Sequence, residues 1–313
     1  MKKLELCDLC GNQVFEFLFD CYDRMFKIDK KYSLYKCKKC GLIFLNPQPN
    51  IKELSKHYEE YCSLNGENQS KLENILFKLY YTKNNNIIFK IIFLPFKPLL
   101  RCVKIVKNGN FLDIGCGVGN YLSLMKLTNM NCYGVEPGRF DKKITKKNKL
   151  KIFNGYLKNA NYPDNYFDTI TLNSVFEHVN NPTETLEELH RILKPKGTII
   201  MTVPRSDCFV YKLFKENWVQ LDIPRHMFIY SISNLKKYVK KTSFKIKKIR
   251  YNSLPFQFVG SILYWSNKYR KKPIYMSETN VTNNKILFLL LLPLSYFFNI
   301  LKIGDQVEIT FTK

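Results

Sequence analysis

Three groups of residues in this chain have types and spacings that could do chemistry. The first lies in Phe111–Leu122, FLDIGCGVGNYL, where Asp113 is followed by Gly115, Gly117 and Gly119. Glycines at alternate positions let the backbone turn sharply and bring its amides close to a ligand without Cβ interference. A dinucleotide fingerprint would place Gly or Ala at position 120, but Asn120 stands there. Asp-x-Gly-x-Gly-x-Gly instead suits a ligand with an amino-acid portion, the acid holding the ammonium and the amides meeting the carboxylate. Glu136, 23 residues after Asp113, is spaced to accept both hydroxyls of a ribose. The bland alternative is a tight turn plus a surface acid.

The second group is Cys7, Cys10, Cys37 and Cys40, two Cys-x-x-Cys-Gly knuckles separated by 26 residues. Four thiolates form a tetrahedral site, and Zn²⁺ accepts all-thiolate ligation; a closed site of this kind leaves no place for water and is structural. Four unligated cysteines are the alternative. The third group is Glu177-His178 with His226 downstream in IPRHMFIY. Histidine is a natural proton acceptor near neutral pH, and each of these two has a packing or hydrogen-bonding role as its alternative. Arg225 could meet a substrate phosphate or an internal carboxylate.

The elements that must position these groups follow from the pattern. Asn46-Pro47-Gln48-Pro49 closes a first unit, residues 1–50. Residues 51–107 read as helical, with Leu54, Tyr58 and Tyr61, then Leu72, Leu76 and Leu79, at helical spacing. Ile87–Leu100 is apolar but broken by Pro95 and Pro98. From Gly109 strands and helices alternate: strands over 110–114, 132–136, 151–154, 167–172 and 198–203, and helices from Asn120 and over 182–193. Pro182 suits a first helical turn. That rhythm predicts a doubly wound, largely parallel sheet. Beyond an irregular aromatic stretch, 205–230, come a helix over 233–241, a basic strand over 244–251, a long insertion over 253–304 and a last strand, 306–311.

Residues 109–204 resemble the class I S-adenosylmethionine (SAM) dependent methyltransferases, through FLDIGCGVGNYL, YGVEPG, NYPDNYFDTITLNSVFEHV and LEELHRILKPKGTIIMTVP. The likeness extends to a subgroup with an N-terminal four-cysteine zinc domain, found among bacterial enzymes of surface-polysaccharide and sugar biosynthesis. Its shared pieces are Cys7–Cys40, Leu45–Pro49, Asp222–His226 and Gly304–Lys313. The resemblance implies a Rossmann-like α/β fold: a zinc ribbon over 1–50, a helical linker or cap over 51–107, and a methyltransferase domain over 108–313 with a helical insertion at 253–304. It also implies that Asp113, Gly115, Cys116 and Gly117 surround the methionine end of SAM, and that Glu136 with Pro137 takes the ribose. Tyr156 and Leu157 would flank the adenine; many relatives carry an acid at the position of Tyr156. Asn173 and Ser174 would face the methyl-transfer region, with His178 and His226 as catalytic candidates. Some methyltransferases hold a divalent metal through Glu-x-x-Glu-His and another His. Here Ser174 replaces the first acid, and no active-site metal is expected.

Composition narrows the partners. The 313 residues carry a formal net charge of +24, but only 8 of the 50 basic residues are Arg. Arg is the residue suited to bidentate phosphate and base-edge contacts, so a solvated lysine surface is favoured over a nucleic-acid site. The expected acceptor is a small molecule: a sugar, nucleotide-sugar or lipid-linked glycan. An RNA methyltransferase is the alternative enzyme, and a non-catalytic SAM-binding partner in a glycan assembly the alternative outside enzymes. MKKLELCDLC lacks an apolar signal core, so a reducing cytoplasm is expected. Ile286–Leu301 is uncharged, falls short of a membrane span and contains Pro293. It reads as a helix covering the sheet or pocket, or as an interfacial element at the inner membrane face.

Overall fold

The computed structural model describes residues 2–313 except 27, 51, 55, 56, 58–70, 83–102, 139–144, 146–148 and 279–283. Tyr58, Tyr61 and the apolar run 87–100 fall outside the described residues. Leu72, Leu76 and Leu79 belong to helix α1, Lys71–Thr82.

The main sheet has seven strands in the order β10-β11-β8-β7-β4-β5-β6. Its centre is β4 (Asn110–Ile114), parallel to β5 (Asn131–Glu136) on one side and to β7 (Phe167–Asn173) on the other. β6 (Lys151–Asn154) and β8 (Leu193–Pro204) extend the parallel set outward. β11 (Gln306–Thr312) and β10 (Lys245–Tyr251) add an antiparallel edge. The central strands are apolar on both faces because helices cover both sides of such a sheet. Phe111, Leu112, Phe167, Ile170, Leu172, Ile199 and Met201 are all fully buried. The chain leaves β4 for β5 and β6, then returns to β7 on the other side. That reversal opens a crevice at the carboxyl ends of β4 and β7, where ligands of doubly wound sheets bind.

The helices are built as their sequences dictate. α2 (Asn120–Met125) follows the glycine turn. α3 (Pro182–Ile192) starts with Pro at its first turn and carries Glu184 early and His190 and Arg191 late, in keeping with the helix dipole. Leu186, Leu189 and Ile192, three residues apart, are its buried stripe. Next come α4 (Phe209–Phe214) and α5 (Ile232–Lys241), the latter opened by a reciprocal cap between Ser231 and Asn234. Between β10 and β11 lie α6 (Phe256–Ser266) and α7 (Lys285–Ile300).

The N-terminal residues form a second, antiparallel sheet. A hairpin of β1 (Phe15–Asp23) and β2 (Ile28–Cys37) spans the gap between the two cysteine knuckles. β3 (Ile43–Leu45) pairs with β2, and β9 (Phe228–Ile229) completes the sheet. The break at residue 50 therefore divides the sequence but not the hydrogen bonding. Cys7, Leu42 and Phe44 share one apolar core with Leu112, Leu172 and Phe228. Asp8 ties the same region to the helices, accepting from Thr183 Oγ1 at 2.7 Å and Tyr238 OH at 2.8 Å.

Candidate active site

The end of β4 and the loop after it build the first wall of the crevice. Asp113 is buried, and Thr171 Oγ1 of the neighbouring strand donates to its Oδ1 at 2.6 Å. Gly115 (φ +67°) and Gly119 (φ +84°) take left-handed backbone, and Gly119 caps α2. A Cβ on Gly115 would stand 2.4 Å from Val175 Cγ2, so glycine is required there by space as well as by φ. Cys116 is buried, and burial first, then Asp113 and Glu136, pushes its thiol well above the ordinary range. It packs as a neutral side chain and is no nucleophile.

Glu136, at the end of β5, accepts the Gly117 amide at 2.8 Å on Oε2 and the Gly138 amide at 2.7 Å on Oε1. A carboxylate has about four acceptor directions, so two bonds to the loops still leave capacity for a diol. Pro137 is exposed beside it. Tyr156 and Leu157 follow β6, Tyr156 52% exposed and Leu157 buried at the start of a 3-10 turn, Leu157–Ala160. Asn173 ends β7 half-buried. The residues expected around SAM thus come from the ends or following loops of four adjacent parallel strands.

The second wall follows β7. A 3-10 turn, Phe176–His178, places a fully buried Glu177 whose two carboxylate oxygens lack hydrogen-bond partners among the described residues. Burial pushes this acid up to about 8, so it is largely protonated at neutral pH. His178 donates from Nδ1 to the Arg225 carbonyl at 2.9 Å, and His226 from Nδ1 to the Gln220 carbonyl at 2.8 Å. A carbonyl only accepts, so both rings carry their proton on Nδ1 and present Nε2 as the basic nitrogen. The rings lie edge to face at 4.6 Å. His226 Nε2 is 3.9 Å from Glu177 Oε1 and 3.8 Å from Asp222 Oδ2. Burial first, then His226, drives His178 down to about 3. Burial also lowers His226, but the Asp222 carboxylate works against it. His226 Nε2, 3.8 Å from the Asp222 carboxylate, is the ring nitrogen with an acid beside it to balance a charge. One ligand atom from each of Glu177, His178 and His226 lies within 4.8 Å of the others, a spacing that a divalent cation could bridge.

Arg225 is not available to a substrate. It is 1% exposed and grips Asp23 with two bonds, Nη1 to Oδ2 at 2.8 Å and Nη2 to Oδ1 at 3.0 Å. Its Nε donates to Asp222 at 3.0 Å. Burial alone would raise Asp222, yet Arg225 overrides it and holds that acid at about 2. Asp23 also takes His57 Nδ1 at 2.6 Å, and His57 Nε2 meets Tyr32 OH at 3.1 Å. Sequence reasoning missed Asp23 and His57 as supports of this wall. Their one sequence signal, a lone acid and a lone histidine among aromatics, is weak.

The four knuckle cysteines converge on one another. Cys7 Sγ lies 3.5 Å from Cys40 Sγ, and Cys10 Sγ 3.6 Å from Cys37 Sγ. Zinc bonds of about 2.3 Å in a tetrahedron place sulfurs about 3.8 Å apart, so the donor set and its spacing fit that ion. The hydrogen bond from Cys7 comes first among the causes that hold the Cys40 thiol down, to about 5.

A sequence model of the methyltransferase domain matches residues 92–249, half of the chain. The chain belongs to this methyltransferase family. Its fold is that of the SAM-dependent methyltransferases, and SAM is the cofactor that family takes. Among curated proteins, it is 30% identical over 114 residues to the glycine/sarcosine/dimethylglycine N-methyltransferase of Actinopolyspora halophila, covering 33% of this chain and 20% of that one. It is 25% identical over 131 residues to the demethylmenaquinone methyltransferase of Listeria innocua, covering 38% of this chain and 55% of that one. An uncharacterised protein of Methanocaldococcus jannaschii is 25% identical over 206 residues, 66% of this chain and 87% of its own length. The chain thus spans about half or less of the two named enzymes. A solved SAM-dependent methyltransferase from Archaeoglobus fulgidus superposes with a TM-score of 0.44 at 18% identity, covering 76% of this chain and 99% of that one.

Proposed function

We propose that this methyltransferase methylates a hydroxyl oxygen of a sugar, nucleotide-sugar or lipid-linked glycan, with His226 as the proton acceptor. The observation that carries the base assignment is the fixed tautomer of His226, whose Nε2 stands between Asp222 and Glu177. Bound SAM supplies a sulfonium methyl group for in-line attack by an acceptor oxygen. Asp113, Gly115, Cys116 and Gly117 hold the methionine end, Glu136 and Pro137 the ribose, and Tyr156 and Leu157 the adenine. Asn173 lines the path between the two walls. His226 Nε2 would take the hydroxyl proton as the acceptor oxygen gains the methyl group, the carbon–sulfur bond breaking so that the cofactor leaves as its neutral thioether. The resulting imidazolium is balanced by Asp222, which Arg225 keeps ionised. His178 packs against the His226 ring and orients it.

Cys7, Cys10, Cys37 and Cys40 hold one structural Zn²⁺. The chain then reads as a zinc ribbon over 1–50, a cap over 51–107 and a catalytic domain over 108–313 with its insertion at 253–304, working in the cytoplasm. The glycan acceptor rests on the resemblance of the four-cysteine segment and Asp222–His226 to enzymes of surface-polysaccharide biosynthesis. Incubation with methyl-labelled SAM and separate panels of nucleotide-sugars, lipid-linked sugars and RNA tests it. Label in a sugar supports the reading. Label in RNA alone, with salt-steep RNA binding, overturns it in favour of an RNA enzyme. SAM binding without turnover on any panel overturns it in favour of a binding partner.

A further inference from the structure

Helix α7 is apolar all round, yet only half of it is covered. Its inner side packs on α4 and α6: the Phe298 ring meets Phe209 at 5.6 Å and Phe258 at 5.0 Å. Ser295, on that side, is 1% exposed. Its outer side presents Ile286, Leu290, Leu294, Phe297 and Leu301, spaced by three or four residues, with exposures from 40% to 73%. A helix without a polar face belongs in an apolar setting on both sides, and a contiguous uncovered stripe of this kind marks an interaction site. The neighbouring helices expose apolar side chains too. Leu213, one turn beyond Phe209 on α4, is 61% exposed, and Trp265 and Tyr269, at the end of α6, are 44% and 75% exposed.

The charge around this surface says what covers it. Residues 209–215, 256–277 and 284–304 contain no Asp or Glu; every charged residue in them is Lys or Arg. The first acid beyond α4, Glu216, is paired with Lys268 at 2.8 Å. Tyr269 runs directly into Arg270, Lys271 and Lys272, all exposed, and Lys302 follows the last turn of α7. An exposed apolar stripe whose own and neighbouring segments carry exposed aromatics and only cations has the composition of a helix lying in the plane of a bilayer interface. A second copy of the chain would bring the same cations face to face across a two-fold contact. None of the described helices is long and apolar enough to cross a membrane. The geometry points to α7, with the exposed ends of α4 and α6, as a docking face for an anionic lipid surface. This holds whatever acceptor the active site uses.

Vesicle flotation of the full chain tests the inference, comparing phosphatidylglycerol/phosphatidylcholine vesicles with pure phosphatidylcholine, alongside Leu290→Glu and Phe297→Glu variants. SAM binding by calorimetry confirms that each variant is folded. The wild-type chain is expected to float with the anionic vesicles and less with the neutral ones. Each variant should lose partitioning by about tenfold or more while SAM affinity is unchanged. Absence of flotation at low salt overturns the inference, as does flotation that both variants retain. A concentration-dependent dimer that the variants abolish, without vesicle binding, also overturns it and assigns the face to a second copy.

Discussion

Arg225 and Asp23, 202 positions apart in the chain, meet in a fully buried two-bond ion pair that joins the N-terminal hairpin to the loop carrying His226. The carbonyl of the same Arg225 accepts the Nδ1 proton of His178. The N-terminal sheet therefore reaches the histidine pair through one guanidinium.

Removing one partner of a buried pair leaves an uncompensated charge, at a cost of about 3–5 kcal/mol. Asp23→Ala should lower the denaturant midpoint by that order. Asp23→Asn, which keeps the shape, should cost less stability but still reduce kcat, with SAM affinity unchanged. An Asp23→Asn variant with full kcat would show that the hairpin does not position the histidines.

Stability should bend with pH at both ends. Asp222 sits at about 2, below its unfolded value, so its contribution is present above pH 4 and fades as pH falls toward 2. Asp305 is the opposite case: burial lifts it to about 7, although Ser253 and Trp218 hydrogen-bond to it. A raised acid favours the folded state below its unfolded value, and that advantage is lost as pH rises through about 7. Asp305→Asn should remove this contribution and make the fall in melting temperature between pH 5 and 7 shallower, leaving the part that comes from the raised acid Glu177. The slope at stake is at most about 1.4 kcal/mol per pH unit. An unchanged slope would remove Asp305 from the account.

The cysteine tetrad predicts about one zinc per chain by elemental analysis. Cys37→Ser should lose it, since a three-thiolate remnant is an open site. The zinc-depleted chain should be cut by protease within residues 1–45 well before the sheet domain is. Equal protease resistance with and without zinc would make the four cysteines a packing cluster.

His226→Ala is expected to lower kcat by about 10²- to 10⁴-fold with SAM affinity retained. His178→Ala should cost less, because its ring acts through His226. If both variants keep full turnover, neither is the base. The pH profile of the wild type separates a base role from packing: kcat should fall as His226 is protonated on the acid side.

The main sheet was readable from the chain because its signals are local. Phe111–Ile114 and Phe167–Leu172 are short apolar runs bounded by turn residues, and Asp113, the glycine turn and Glu136 follow one another at the ends of adjacent strands. The second wall is held by pairings that no window of sequence contains. Arg225 reads equally well as an anion site or an internal pair until Asp23 is placed beside it. β9 is two residues long and becomes a strand because β3 is there to receive it. His178 and His226 were singled out by type alone; the carbonyls that set their tautomers belong to Arg225 and Gln220.

The glycine turn offers the sharpest mutational contrast. Gly115 and Gly117 both have positive φ, +67° and +54°, so an alanine at either meets similar backbone strain, about 1–2 kcal/mol. They differ in space. A Cβ on Gly115 would press Val175 Cγ2 at 2.4 Å, whereas a Cβ on Gly117 meets nothing within 4 Å. Val175 immediately precedes the turn that carries Glu177 and His178, so the collision would push the two walls of the crevice apart. Gly115→Ala should therefore weaken SAM binding about tenfold more than Gly117→Ala, since displacing the walls by a few tenths of an ångström disrupts several contacts at once. Adding Val175→Ala should restore part of the loss at Gly115 and none at Gly117. Calorimetry on the five proteins decides the matter: equal losses at the two glycines, or no rescue by Val175→Ala, would mean that the steric link between the cofactor loop and the histidine wall is absent.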